Sequence, residues 1–199
     1  MTAREHLRAD LARFFAHCEK PPSRFQRFRI VLKTEAIWAI WTYRFGQYLY
    51  REAGLLTRLF FKIPYALSAK VLGWTVGIHL FPETRIGPGF YIGHYGGIWI
   101  TPRATLGANC SVGQGVTIGV AGRDRSRGPE LGDRVWVGPN STITGRVKVG
   151  SGAVVGANSL VTTNIPENGV AVGVPARVLS YTGSKDLIVL PGENTPQTD

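Results

Sequence analysis

Residues 86–100 read IGPGFYIGHYGGIWI, and in the middle of that regular, glycine-rich run stands one ionisable side chain, His94. A neutral imidazole, with a reference pKa of ~6.5, takes up and returns protons near neutrality and suits general-base work. The same ring could equally be a hydrogen-bonded structural group at a turn, and the residue types alone leave both open. Other chemistry is poorly provided for. The two cysteines, Cys18 and Cys110, lie far apart in different regions. They form neither a disulfide framework nor a zinc pattern, and they fit a reduced, cytoplasmic compartment. Beyond the first 78 residues only His79 and His94 are imidazoles, too few for a catalytic zinc held by three, so no metal is expected.

The scaffold around His94 is written in sixes. From residue 131 the chain divides into LGDRVW, VGPNST, ITGRVK, VGSGAV, VGANSL and VTTNIP. An aliphatic residue opens every unit and a small or aliphatic one fills the fifth slot. ITPRAT, LGANCS and VGQGVT carry the same phase upstream, begun by IGPGFY and IGHYGG. A six-residue period predicts three short strands per coil of a triangular solenoid, in which each coil buries its apolar face on its neighbours. Cys110 occupies a fifth slot and reads as a small core residue rather than a nucleophile. The phase breaks twice. Eight residues separate Ile92 from Ile100, so two extra sit around His94. Between Ile118 and Leu131 the polar, basic stretch GVAGRDRSRGPE leaves the repeat, and an excursion loop over 119–130 is expected.

Residues 1–78 read as a helical N-terminal region. Leu7, Leu11, Phe14 and Phe15, and then Ile37, Ile40, Trp41, Phe45, Tyr48 and Leu49, fall on helical spacing. Pro21-Pro22 marks a boundary, Gly54 can stop a helix, and Pro64 is expected to break or start one. The fold class expected is therefore α+β, helices followed by a β-helix of hexapeptide repeats over 79–180, with a C-terminal tail over 181–199. Formal charge is +10, of which +8 lies in residues 1–80. Such a half could meet nucleic acid, a membrane surface or an acidic ligand, or be a solvated basic face. No nucleic-acid motif accompanies the aromatics there, so no nucleic-acid partner is expected. The most apolar window, 59–81, is broken by Lys62, Pro64 and Lys70. A transmembrane span is not expected, while contact with a membrane surface stays open.

Hexapeptide repeats, a glycine-flanked histidine, an excursion loop and the run GVPAR together resemble the serine acetyltransferase branch of the left-handed β-helix acyltransferases. The likeness covers roughly residues 77–180. It implies a left-handed coil, acetyl-CoA as co-substrate, a homotrimer with the coenzyme in the groove between neighbouring solenoids, and helical regions able to join two trimers. It implies that His94 is the catalytic base taking the acceptor hydroxyl's proton. Arg127 matches an arginine that grips an amino-acid carboxylate. Pro139 and Ala157 match positions along the pantetheine arm, and Arg177, with Lys148, is placed for coenzyme phosphate.

The sequence also departs from that branch. The aspartate fifteen residues before the histidine is His79 here, the one just before it is Gly93, and the Arg-His pair of the loop is Arg127-Gly128. Glu83 is the carboxylate near enough in sequence to orient His94. Serine needs an acid for its ammonium, whereas a neutral hydroxyl does not. The expected acceptor is therefore a sugar hydroxyl, as in the exopolysaccharide and capsule acetyltransferases that an IGH-aromatic-GGI stretch also resembles. The basic half would then face an anionic glycan or a lipid-linked acceptor at the inner membrane surface. The alternatives are a serine O-acetyltransferase and, in another class, a non-catalytic β-helix scaffold at the membrane.

Overall fold

The computed structural model describes residues 1–18, 20–123 and 125–193. Four helices, α1 (Ala3–Ala16), α2 (Arg24–Lys33), α3 (Glu35–Arg51) and α4 (Leu55–Thr75), precede a solenoid of short parallel strands. Thr2 and Ser23 cap α1 and α2, each accepting from the backbone N–H three residues on and receiving the reciprocal side-chain bond. Pro64 neither starts nor breaks a helix; it lies inside α4. The expected cost is one carbonyl, that of Phe60, left without its helical donor. Phe60 and Pro64 are both exposed, so water can serve that oxygen.

The solenoid has three faces. The first stacks Ile78–Leu80, Ile98–Ile100, Thr117–Gly119, Thr142–Thr144 and Leu160–Val161. The second stacks Arg85–Ile86, Thr105–Leu106, Glu130–Leu131 and Lys148–Val149. The third stacks Tyr91–Ile92, Ser111–Val112, Trp136–Val137 and Val154–Val155, and an antiparallel hairpin, Val170–Gly173 with Ala176–Ser180, closes it. The register repeats the sequence phase: Ile92 pairs with Val112 and Val112 with Val137. The first-slot residues are all buried, with Ile92, Ile100, Ile118, Val137, Ile143 and Val155 at 0 % exposure, and so are fifth-slot Phe90, Cys110, Val135 and Ala153. At the corners the backbone must turn left-handed, and asparagine does this at Asn109, Asn140, Asn158 and Asn168 (φ 55° to 58°).

Helices and solenoid share one apolar core, which runs from Phe14, Ile37 and Ile40 to the first-coil residues Ile78, Ile86 and Phe90. Two buried arginines fasten the joint. Arg44 donates to the carbonyls of Ile86 (2.8 Å) and Gly87 (2.7 Å), and Arg13 to those of Gly89 (2.8 Å) and Asn109 (3.0 Å). The segment after the hairpin is more than a tail. Ser184 donates to Gly152 and Arg134, Ile188 is buried, and Leu190 and Pro191 border a surface cleft with Ala12 and Phe15 of α1. The polar end expected to fray lies, over 194–199, outside the described residues.

Candidate active site

His94 stands at the corner where the third face turns into the first. Seven residues separate Ile92 from Trp99, but five separate their partners Val112 and Thr117, so the corner carries two extra residues. Gly96 (φ 108°) and Gly97 (φ 65°) make the turn. A Cβ on Gly97 would stand 3.3 Å from the Gly115 backbone of the next coil, so the loop is pressed onto the stack there. The consequence is an exposed imidazole on a short loop with a rigid base, with no hydrogen-bond partner among the described residues.

The same corner recurs in each coil and forms an edge running along the solenoid. Gln114, Pro139 and Ala157 follow His94 on it, joined by Asn140 N–H to Gln114 O and Asn158 N–H to Pro139 O, at 2.8 and 2.9 Å. Strand spacing of about 4.8 Å puts Ala157 roughly 14 Å from the His94 coil. The turn of the closing hairpin, Gly173 to Ala176, lies at the end of this edge, with exposed Arg177 beside it. Four predicted residues, His94, Pro139, Ala157 and Arg177, are therefore brought to one edge. Sequence reasoning missed Gln114, whose Oε1 is buried without a hydrogen-bond partner. Its signal was available, since Gln114 holds the third slot of its unit, as His94, Pro139 and Ala157 do. An orphaned acceptor on this edge fits an arm that carries amide N–H groups.

The other predicted residues lie elsewhere in the chain. Glu83 and Arg127 border a cleft with Arg85, Arg103 and Ser126 at the opposite edge of the first face, where it turns into the second. The returning limb of the excursion loop rests on Arg103, whose carbonyl accepts from Gly128 N–H at 3.2 Å. The width of the strand Ile98–Ile100 separates this cleft from His94, so Glu83 does not orient His94 within one chain. His79 is placed between the two edges. Its ring packs on Trp99 (4.8 Å between centroids), and a Cβ on Gly73 of α4 would meet it at 2.9 Å. It is an element of helix-to-solenoid packing in this chain. Lys148 is likewise off the His94 edge of its own chain. It projects from the second face, 3.9 Å from Glu130, not from the edge that carries His94.

A triangular coil with an imidazole at a widened corner defines a class, the hexapeptide-repeat acyltransferases. Residues 128–163 match the family model for the bacterial transferase hexapeptide, six repeats. The serine acetyltransferase of Bacillus licheniformis is 32% identical over 168 residues, 84% of this chain and 74% of that protein. Among solved structures, a Brucella abortus serine acetyltransferase in complex with coenzyme A superposes with TM-score 0.75 at 26% identity, over 90% of this chain and 68% of that one. A Neisseria gonorrhoeae serine acetyltransferase in complex with serine gives 0.73 at 28% identity, over 89% and 69%.

The chain belongs to the serine acetyltransferase family. It is an acetyl-CoA-dependent O-acyltransferase built on a left-handed β-helix. The exopolysaccharide reading finds no support in these relatives, which carry the serine name. Among the described residues no group of three or more His, Cys, Asp or Glu could hold a metal, and no helix is long and apolar enough to cross a membrane.

Proposed function

We propose that this chain transfers the acetyl group of acetyl-CoA to the side-chain hydroxyl of serine. The observation that carries the reading is the placement of His94, free and exposed, at the head of an edge lined by backbone turns and Gln114. The imidazole takes the hydroxyl proton as the oxygen attacks the thioester carbonyl. A C–O bond forms, the C–S bond breaks, and the imidazolium returns its proton to the departing thiolate. The pantetheine arm runs along Pro139 and Ala157, Gln114 accepts from one of its amides, and Arg177 meets a coenzyme phosphate. Arg127 pairs with the acceptor carboxylate.

Arg127 and His94 flank one face from opposite edges, so a single chain does not assemble this site. A neighbouring copy in a homotrimer would bring its loop to the His94 edge. A second reading, a sugar hydroxyl as acceptor, is favoured by one observation. No carboxylate hydrogen-bonds or pairs with His94 among the described residues, and the matching upstream position, His79, is spent on packing.

The test is an acceptor panel read by mass spectrometry, with serine, nucleotide sugars and oligosaccharides offered beside acetyl-CoA. Serine gaining one acetyl group, with free thiol released in equal amount, is the expected result. Acetylation of a sugar with serine untouched overturns the serine reading, and no transfer to any acceptor by folded protein overturns both.

A further inference from the structure

α4 carries two apolar faces. One packs against α3 and the first strand and buries Tyr65 and Gly73. The other is formed by Leu56, Phe60, Ile63, Leu67, Val71 and Trp74, which are 83, 75, 77, 62, 45 and 74 % exposed. At 100° per residue these six fall within about 60° of one line, and Tyr65 lies on the far side of the helix. The stripe runs roughly 27 Å along the axis. Six large apolar side chains in one exposed row call for a partner. The helix does not meet the length and apolarity needed for a membrane span, so that partner lies against it.

Charge selects the partner. From residue 53 to residue 82 the chain has no Asp or Glu, while Arg58, Lys62 and Lys70 are cationic. Lys62 and Lys70 are exposed, and the Lys70 ammonium sits 4.8 Å from the centre of the Trp74 ring, at the end of the stripe. Of these cations only Lys70 flanks the stripe, and a second copy docked through this face would offer it no carboxylate from α4. A layer of anionic headgroups over acyl chains satisfies both features. Lys70, about 60° from the mid-line of the stripe, reaches the phosphates while its stem and the stripe lie deeper, and a tryptophan prefers that boundary.

We propose that α4 lies flat on an anionic phospholipid surface, its Leu56-to-Trp74 stripe at the headgroup–acyl boundary and Lys70 among the phosphates. This docking is independent of the acceptor. It can fail with acetyl transfer intact, and the reverse also holds.

The experiment is flotation of the full-length protein with phosphatidylcholine vesicles, with and without 30 mol% phosphatidylglycerol (roughly the anionic content that gives a substantial surface potential), alongside its mass by light scattering. The wild type is expected to float with the anionic vesicles about tenfold more than with the neutral ones, and to lose that preference at high salt. Ile63→Glu/Leu67→Glu is expected to abolish flotation and Lys70→Glu, separately, to weaken the anionic preference, while particle mass and acetyl transfer stay unchanged. All three positions are exposed, and retained turnover reports that the variants fold. Failure of the wild type to float with anionic vesicles overturns the proposal. So does a fall in particle mass in the stripe variant, which would make a second copy the occupant.

Discussion

Arg44 holds Asp10 with two donors, Nε to Oδ2 at 2.8 Å and Nη2 to Oδ1 at 3.2 Å, and both side chains are 1% exposed. Asp10 also accepts from the Phe90 N–H at 2.8 Å. One ion pair thus ties α1, α3 and the first coil together, just ahead of the corner that carries His94. Arg44→Met leaves a buried carboxylate without its cation. Such losses cost about 3–5 kcal/mol, so urea unfolding should show a fall of that size with the apolar volume kept.

Much of this architecture was legible because a six-residue repeat fixes which side chains point inward. The slot also fixes the corner. His94, Gln114, Pro139 and Ala157 are all third-slot residues of units on the third face, so counting three units per coil puts them on one edge. The same count assigns Lys148, in the sixth slot before Val149, to the second face. It likewise puts the excursion loop, which leaves after Ile118, at the opposite edge of the first face. Nothing local announces the Arg44–Asp10 clasp, because its partners lie 34 residues apart and its geometry exists only once the helices dock. The return of residues 184–191 along the solenoid is silent for the same reason.

Arg127 is exposed and belongs to the cleft beneath the excursion loop. A charge-assisted pair with a carboxylate is worth ~1.5–3 kcal/mol. Arg127→Ala should therefore raise KM for serine roughly ten- to a hundredfold with KM for acetyl-CoA unchanged. Steady-state kinetics with each substrate varied in turn checks it.

His17 should make the fold acid-sensitive. Its ring stacks on Tyr91 (4.3 Å, 6° between planes), and its Nδ1 lies 2.8 Å from the Arg13 carbonyl. Packing of one ring face on Tyr91 partly desolvates the imidazole and lowers its pKa from 6.5, an effect damped by solvent because the residue is otherwise exposed. The unfolded chain then takes up the proton first as pH falls, so stability drops from about pH 7 through the folded pKa. Asp10, whose carboxyl burial raises, acts in the opposite sense. Comparing wild type with His17→Gln in urea at pH 7 and at lower pH isolates the imidazole, and the variant should show the flatter slope.

Cys110 is fully buried, its Sγ 3.2 Å from the Gly132 carbonyl, and burial pushes its thiol up to about 12. The thiolate is the reactive form, so iodoacetamide at mildly alkaline pH should label Cys18, which is half-buried, and spare Cys110 until the protein is unfolded. Peptide mapping of the labelled native protein reads this out.

The most direct measurement of the central claim is turnover of His94→Ala compared with wild type, each substrate varied in turn up to saturation. Loss of a general base predicts a fall in kcat of ~10²–10⁴ with an unchanged KM for acetyl-CoA. A folded variant that turns over at the wild-type rate would contradict the account.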